Sequence, residues 1–281
     1  MASVLDEQPL GEREFVFTTR DFEAVRELLY RHTGIKLHDS KQPLVYSRLA
    51  RRLRQLGFNR FDQYLAYVNP DGEEWQQFLN ALTTNLTSFF REVHHFEHLA
   101  GFVKSLPRSR QVRVWCSASS TGEEPYSIAM TLIEAYGTYD PPASIVATDI
   151  DTQVLQTASR GVYPLDRLEK IALERKRQFF LRGKGDQDGF ARIRPEVAKL
   201  IEFKRLNLLD NPWPLEGLFD VIFCRNVLIY FDKETQAKVL RRMAPLIRPD
   251  GVLYVGHSES LFHVADCFEN CGRTVYRVKT S

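Results

Sequence analysis

Cysteine is scarce in this chain of 281 residues: Cys116, Cys224, Cys267 and Cys271 are the only four, and none has Cys-x-x-Cys spacing. Neither a disulfide framework nor a zinc site is expected, and two of the four fall in predicted buried strands, where cysteine behaves as a small hydrophobe. No basic stretch leads into an apolar run in the first twenty residues, and no uncharged apolar segment approaches bilayer length. The expectation is a cytoplasmic protein. Repeats and low-complexity tracts are absent as well. With 43% hydrophobic and 26% charged residues, the chain has enough apolar material for one large core plus a smaller domain. The net charge of +2 conceals a local lack of acid, because residues 41–60 hold Lys41, Arg48, Arg51, Arg52, Arg54 and Arg60 and not one Asp or Glu. One surface is therefore predicted to be strongly basic.

Glycine is sparse where a dinucleotide-binding turn needs it most. Val112, Val114 and Trp115 read as a short buried strand, Ser117 to Gly122 as a small-residue turn, and Glu123 onward as a helix with Ile128, Leu132 and Ile133 on its apolar side. That strand, turn and helix make a nucleotide-type crevice, but in place of Gly-x-Gly-x-x-Gly there is one glycine followed by two acids. Acids at a helix N-terminus suit its dipole and repel phosphate, so a cationic adenosine cofactor is favoured, namely S-adenosylmethionine. A ligand-free alternative also fits: Thr121-x-x-Glu124 has capping-box spacing.

Residues 1–16 are polar and aperiodic, as expected of a mobile tail. Thr18-x-x-Asp21 caps a first helix that ends near Gly34, and a second helix runs from about Pro43 to Leu56. On the second, Val45, Leu49, Leu53 and Leu56 share one arc while Arg48, Arg51, Arg52 and Arg54 fill another. Asn59 opens a third helix and Trp75, Phe78, Leu79 and Leu82 mark a fourth, giving an all-helical domain over residues 17–83. A joining segment with a linker helix covers 84–110. It carries His94, His95 and His98, for which no acid or cysteine of matching pattern completes a metal site. From residue 111 to 281, strands and helices alternate as in an α/β doubly wound Rossmann-like sheet. A small antiparallel β insert occupies about 161–203, and alternation resumes over 200–207. Asp149 ends the second strand about thirty residues after the first turn, where an acid accepts ribose hydroxyls in such folds. Asp149 and Asp151 are both eligible to cap the next helix. Glu124, Asp149, Asn207 and Asn226 all fall at or just beyond predicted strand ends, where an open sheet binds its ligand.

Four separated stretches then point to one family. Glu123-x-Pro-Tyr126, Thr84-Asn-Leu-Thr-Ser-Phe-Phe-Arg91, Phe223-Cys-Arg-Asn-Val-Leu-Ile-Tyr-Phe231 and Gly256-His-Ser-Glu259 closely resemble the chemotaxis receptor methyltransferases, the CheR family of protein-glutamate O-methyltransferases. The resemblance runs from about Phe17 to the C-terminus. It implies cofactor contacts from Asn85, Thr87, Arg91, Glu124, Asp149, Asn207, Leu208, Arg225 and Asn226, with Arg91 and Tyr230 nearest the transferred methyl. It implies that Arg48, Arg51, Arg52 and Arg54 face the acidic, glutamate-bearing cytoplasmic helices of chemoreceptors. The insert, with Arg182, Gly183, Gly185, Gly189 and Arg192, is similar to the family's docking site for a C-terminal tether peptide of some receptors. A monomer without metal, nucleic acid or membrane insertion is the expectation. Two other readings stay open. A nucleic-acid methyltransferase would share the arginine helix, although Arg225-Asn-Val-Leu-Ile-Tyr230 lacks the Pro-Pro-aromatic stretch of base methylation. A non-catalytic module that senses the cofactor and docks on receptors would share the pocket.

Overall fold

The computed structural model describes residues 14–279, and the chain divides into two compact units after Leu82. The tail expected over 1–16 lies, up to residue 13, outside the described residues. Its last part is anchored: Phe15 is buried with its ring edge-on to Phe61, and Glu14 pairs with Arg54 at 2.8 Å.

Among the described residues the first unit holds four α-helices: α1 (Thr19–Thr33), α2 (Gln42–Leu56), α3 (Phe61–Tyr67) and α4 (Glu73–Leu82). Thr18 and Asp21 form the expected capping box on α1, and Gly34 closes it in the left-handed conformation. The apolar arc of α2 is buried through Val45, Leu49 and Leu53, while Leu56 is left partly exposed at the last turn. Helix α3 starts one residue later than expected, after Arg60, with no side-chain cap.

The second unit opens with an irregular stretch to Val93 and then α5 (His94–Ser105). Strand β1 (Val112–Cys116) feeds α6 (Glu123–Tyr136), and β2 (Ala143–Asp149) feeds α7 (Thr152–Arg160). A small antiparallel sheet follows from β3 (Val162–Pro164), β4 (Phe180–Arg182) and β5 (Phe190–Ile193), with α8 (Leu173–Phe179) between β3 and β4. The short α9 (Pro195–Ala198) leads to β6 (Ile201–Arg205), β7 (Phe219–Cys224), α10 (Lys233–Met243), β8 (Ile247–Val255), β9 (Phe268–Gly272) and β10 (Val275–Val278). The insert thus ends at Ile193, short of the expected residue 203, because Ile201–Arg205 pairs in parallel with β2 as an edge of the main sheet. Strand β8 also begins earlier than the hydrophobic run Val252–Val255 suggests, taking in Pro249-Asp-Gly251 at a register irregularity against β7.

The main sheet has seven strands in the order β6-β2-β1-β7-β8-β10-β9. The first five are parallel, and β10 runs antiparallel to both of its neighbours, β8 and β9. Every residue of β7 is buried, as a central parallel strand covered on both faces requires. Fully enclosing each large apolar side chain there contributes about 1.5–3 kcal/mol. The chain leaves β1 for β2 on one side and returns through β7 on the other, so the C-terminal edge of the sheet has a switch point between β1 and β7.

Candidate active site

The parallel order β6-β2-β1-β7 turns four sequence-distant groups into neighbours. Asn207 lies two residues past β6, Asp149 ends β2, Glu124 sits in the first turn of the helix after β1, and Asn226 lies two residues past β7. At the ordinary strand spacing these four ends span roughly 14 Å along one edge. That is room for a base, a ribose and an amino-acid tail in a row.

The local folding explains why the acids are available. Gly122, at φ 100°, takes the N-cap position of α6, and Thr121 Oγ1 donates to Glu123 Oε2 at 2.6 Å. The capping box between Thr121 and Glu124 therefore does not form, because the left-handed glycine turns Thr121 away from the helix start. Asp151 caps α7, accepting from the N–H groups of Gln153 and Val154. Asp149 is thereby released from capping and instead accepts from Ser120 N at 2.8 Å and Asp151 N at 3.0 Å. Burial pushes its carboxyl up to about 6 despite those two bonds. Glu124 is nearly enclosed, and burial raises its carboxyl too. The Arg225 guanidinium opposes this from 2.6 Å.

The irregular stretch before α5 closes over these strand ends. Asn85 Nδ2 donates to Asp151 Oδ2 at 2.9 Å, and Ser120 Oγ donates to the Asn85 carbonyl at 3.2 Å. The Thr87 carbonyl accepts from Arg167 at 3.3 Å. Arg91 is half-buried, donates to the Leu86 carbonyl at 3.0 Å and acts electrostatically on Glu124. Tyr230 Oη reaches the Thr84 carbonyl at 3.4 Å. Leu208 is buried, and its carbonyl accepts from Arg242. Arg225 is placed differently from a direct pocket contact: its side chain has no exposed surface, and its guanidinium is spent on Glu124, the Arg91 carbonyl and Glu92. It serves the pocket through the residues it holds.

Three groups were not singled out from sequence. Glu92 joins Arg225, Asn226 and His257. Glu259 is buried and accepts from the backbone of Gly256 at 2.6 Å and Asn226 at 2.9 Å, fixing the loop after β7. The N–H of Ser120 orients Asp149. An acid right after Phe-Phe-Arg91 and another ending Gly-His-Ser-Glu259 were visible as letters, but their partners come from other strands. Backbone strain gathers here as well. Of six non-glycine residues with positive φ among the described residues, Phe90, Glu92, Ser120 and Asn226 belong to this site.

Donor atoms of Glu92, His94 and His95 lie within 4.8 Å of one another. Both histidines turn Nε2 to the Arg273 carbonyl, and Arg225 sits 3.4 Å from Glu92 Oε2, so a fixed cation already faces the oxygen a metal would take. His98 bonds Tyr254 Oη instead.

The arginines of α2 are divided rather than presented together. Arg52 is clamped on buried Glu74 through 2.8 and 2.5 Å contacts, with Tyr64 donating to the same carboxylate. Arg54 pairs with Glu14, Arg48 is half-buried and donates to the Ala81 carbonyl, and Arg51 is exposed. The basic window lacks acid only locally, and chain folding supplies Glu14 and Glu74 from outside it. In the insert, Arg182 and Arg192 are exposed. Gly183 is obligatory, since a Cβ there would stand 2.0 Å from the Gln187 carbonyl, and Gly185 and Gly189 both have positive φ.

The acceptor-only carboxylates at β1 and β2 fit an ammonium and a pair of ribose hydroxyls, and the turn lacks the glycines that would admit a pyrophosphate. The comparisons agree with that donor set. Residues 85–277 match the family model described as the SAM binding domain of CheR methyltransferase, and residues 20–83 match its all-alpha domain. The chain is 53% identical to chemotaxis protein methyltransferase 2 of Pseudomonas aeruginosa over 95% of both chains. It is 48% identical to the chemotaxis protein methyltransferases of Salmonella typhimurium and Escherichia coli, over 91% of this chain and 88% and 89% of theirs. Fold, pocket chemistry and both family models converge: the chain belongs to the CheR methyltransferase family, and S-adenosylmethionine is its methyl donor.

Proposed function

We propose that the protein transfers the methyl group of S-adenosylmethionine to glutamate side chains on the cytoplasmic helices of chemoreceptors, acting as a monomer. The observation that carries the reading is the placing of acids at the strand ends near the Arg91 guanidinium. Asp149 and Glu124 accept at the strand ends, while half-buried Arg91, which donates to the Leu86 carbonyl, is suited to receive a carboxylate. The relatives' name, chemotaxis protein methyltransferase, supports the pathway.

When bound, S-adenosylmethionine supplies an electrophilic methyl group on a cationic sulfur. A glutamate carboxylate is ionised at neutral pH and already nucleophilic, so no proton has to be removed. The bound donor would yield its methyl group to a carboxylate oxygen, with the electron pair of the broken C–S bond retained by the sulfur. The chain's part is placement and exclusion of water. Arg91 holds the incoming carboxylate by a charge-assisted hydrogen bond and Tyr230 donates a second from the other wall. Asn85, Thr87, Asp149, Asn207, Leu208 and Asn226 line the cofactor's length. Arg48, Arg51 and Arg54 meet acidic receptor helices, and the insert with Arg182, Gly183, Gly185, Gly189 and Arg192 tethers a receptor's C-terminal peptide.

The test is transfer of an isotope-labelled methyl to a receptor cytoplasmic fragment, then mild alkali. A carboxyl ester releases volatile methanol. Alkali-stable label, as on an amine or a base, would overturn the substrate class. Tight cofactor binding with no transfer to any receptor fragment would favour a sensing and docking module.

A further inference from the structure

Arg91 is bracketed by two residues in the left-handed region, Phe90 at φ 53° and Glu92 at φ 59°. Neither side chain rests there unless its surroundings hold it. Phe90 is held by its N–H on Ser127 Oγ at 2.9 Å, its ring beside Phe96 and the Arg175 guanidinium over its face at 4.2 Å. The Arg91 carbonyl accepts from Arg225 Nη2 at 2.5 Å.

The other side of the bracket depends on one carboxylate. Glu92, with its side chain 10% exposed, lies 3.4 Å from Arg225 Nη2 and 3.6 Å from His95 Nδ1. It accepts from His257 Nδ1 at 3.1 Å and Asn226 Nδ2 at 3.4 Å. Burial pushes its carboxyl up, but Arg225, His257 and Asn226 outweigh that and hold it at about 2, so it is ionised throughout the working range. Arg225 in turn bonds Glu124 Oε2 at 2.6 Å. One anion therefore holds the amide of Asn226 and the guanidinium of Arg225, which itself bonds the Arg91 carbonyl in the turn and orients Glu124.

We propose that Glu92 is the positioning residue of the methyl-transfer site: its carboxylate fixes the left-handed turn that presents Arg91 and, through Arg225, the orientation of Glu124. It touches neither methyl donor nor acceptor, and acts through the residues that do. The inference deepens the reading above and rests on it for the role of Arg91.

The experiment uses the full chain with Glu92→Gln, which keeps the shape and removes the charge. Two readouts are taken, methyl transfer to a receptor fragment and affinity for S-adenosylhomocysteine, in the native and Arg91→Ala backgrounds. Supporting residues of this kind act by about tenfold or more, so Glu92→Gln is expected to lower kcat about tenfold and weaken S-adenosylhomocysteine binding about threefold, with its melting transition preserved. Because the rate effect passes through Arg91, the same change in the Arg91→Ala background is expected to cost less than about twofold in kcat. His257→Ala removes one partner of Glu92 from an exposed side chain that the fold does not need, and is expected to lose about threefold in kcat. A native-like Glu92→Gln in both readouts would overturn the proposal, and so would an equal loss in both backgrounds. Should the native chain leave the receptor fragment unmethylated, the substrate reading fails separately, and the affinity for S-adenosylhomocysteine still decides whether Glu92 governs Glu124.

Discussion

Burial raises the Asp149 carboxyl to about 6, and backbone N–H groups, among them those of Ser120 and Asp151, oppose the rise without cancelling it. The folded chain holds this proton more firmly than the unfolded one, where the group titrates near 3.8. The stability it contributes is therefore full below about pH 4 and lost as the pH climbs through about 6. Cofactor binding runs the other way, because ribose hydroxyls are accepted best by the ionised form. S-adenosylhomocysteine affinity is expected to fall about tenfold from pH 7 to pH 5, and Asp149→Asn to flatten that profile at a weaker level. A flat native profile, followed by calorimetry, would remove Asp149 from the ribose site. At the same scale, Arg91→Ala is expected to lose both affinity and rate and Tyr230→Phe mainly rate, read from steady-state kinetics. Removal of an interaction made only in the transition state lowers kcat and leaves affinity in place.

At the scale of elements, Gly256 and α2 supply the sharpest tests. A Cβ on Gly256 would stand 2.3 Å from Asn226 Nδ2 and 2.9 Å from Glu259 Oε2. Gly256→Ala is expected to displace the Asn226 loop and weaken cofactor binding about tenfold with little change in melting temperature. Breaking the buried Arg52–Glu74 pair leaves a charge without its partner, so Arg52→Ala is expected to cost about 3 kcal/mol of stability. Arg51→Ala, at an exposed site, is expected to leave stability unchanged and lower kcat/KM on receptor fragments. Thermal melts alongside kinetics separate the two. These elements also show what was legible beforehand. Strand β1, its turn, Asp149 at the end of β2 and the buried run of β7 follow from local pattern, since each depends on residues within one turn or strand. The partner of Arg52, the unformed capping box at Thr121 and the early end of the insert were not legible. Each is decided by groups distant in sequence: Glu74, the left-handed Gly122, and the pairing of β6 with β2. Strand β9 was missed for the related reason that its residues after Phe268 are exposed and show no apolar alternation.

For the whole molecule, no helix among the described residues is long and apolar enough to cross a membrane. Under the proposed function, the exposed arginines of α2 and of the insert would give the encounter with a receptor's cytoplasmic helices an electrostatic component. Raising ionic strength is expected to lower kcat/KM on receptor fragments steeply while leaving S-adenosylhomocysteine affinity nearly unchanged, because the pocket's charges are buried and the docking charges are not. The central claim is that a glutamate carboxylate receives the methyl group. Its most direct measurement is tandem mass spectrometry of a receptor cytoplasmic fragment after incubation with the enzyme and S-adenosylmethionine. The expected result is a mass gain of one methylene on glutamate side chains, slower to appear with Arg91→Ala and removed by mild alkali. The same gain on lysine, arginine or a chain terminus, surviving alkali, would contradict the account.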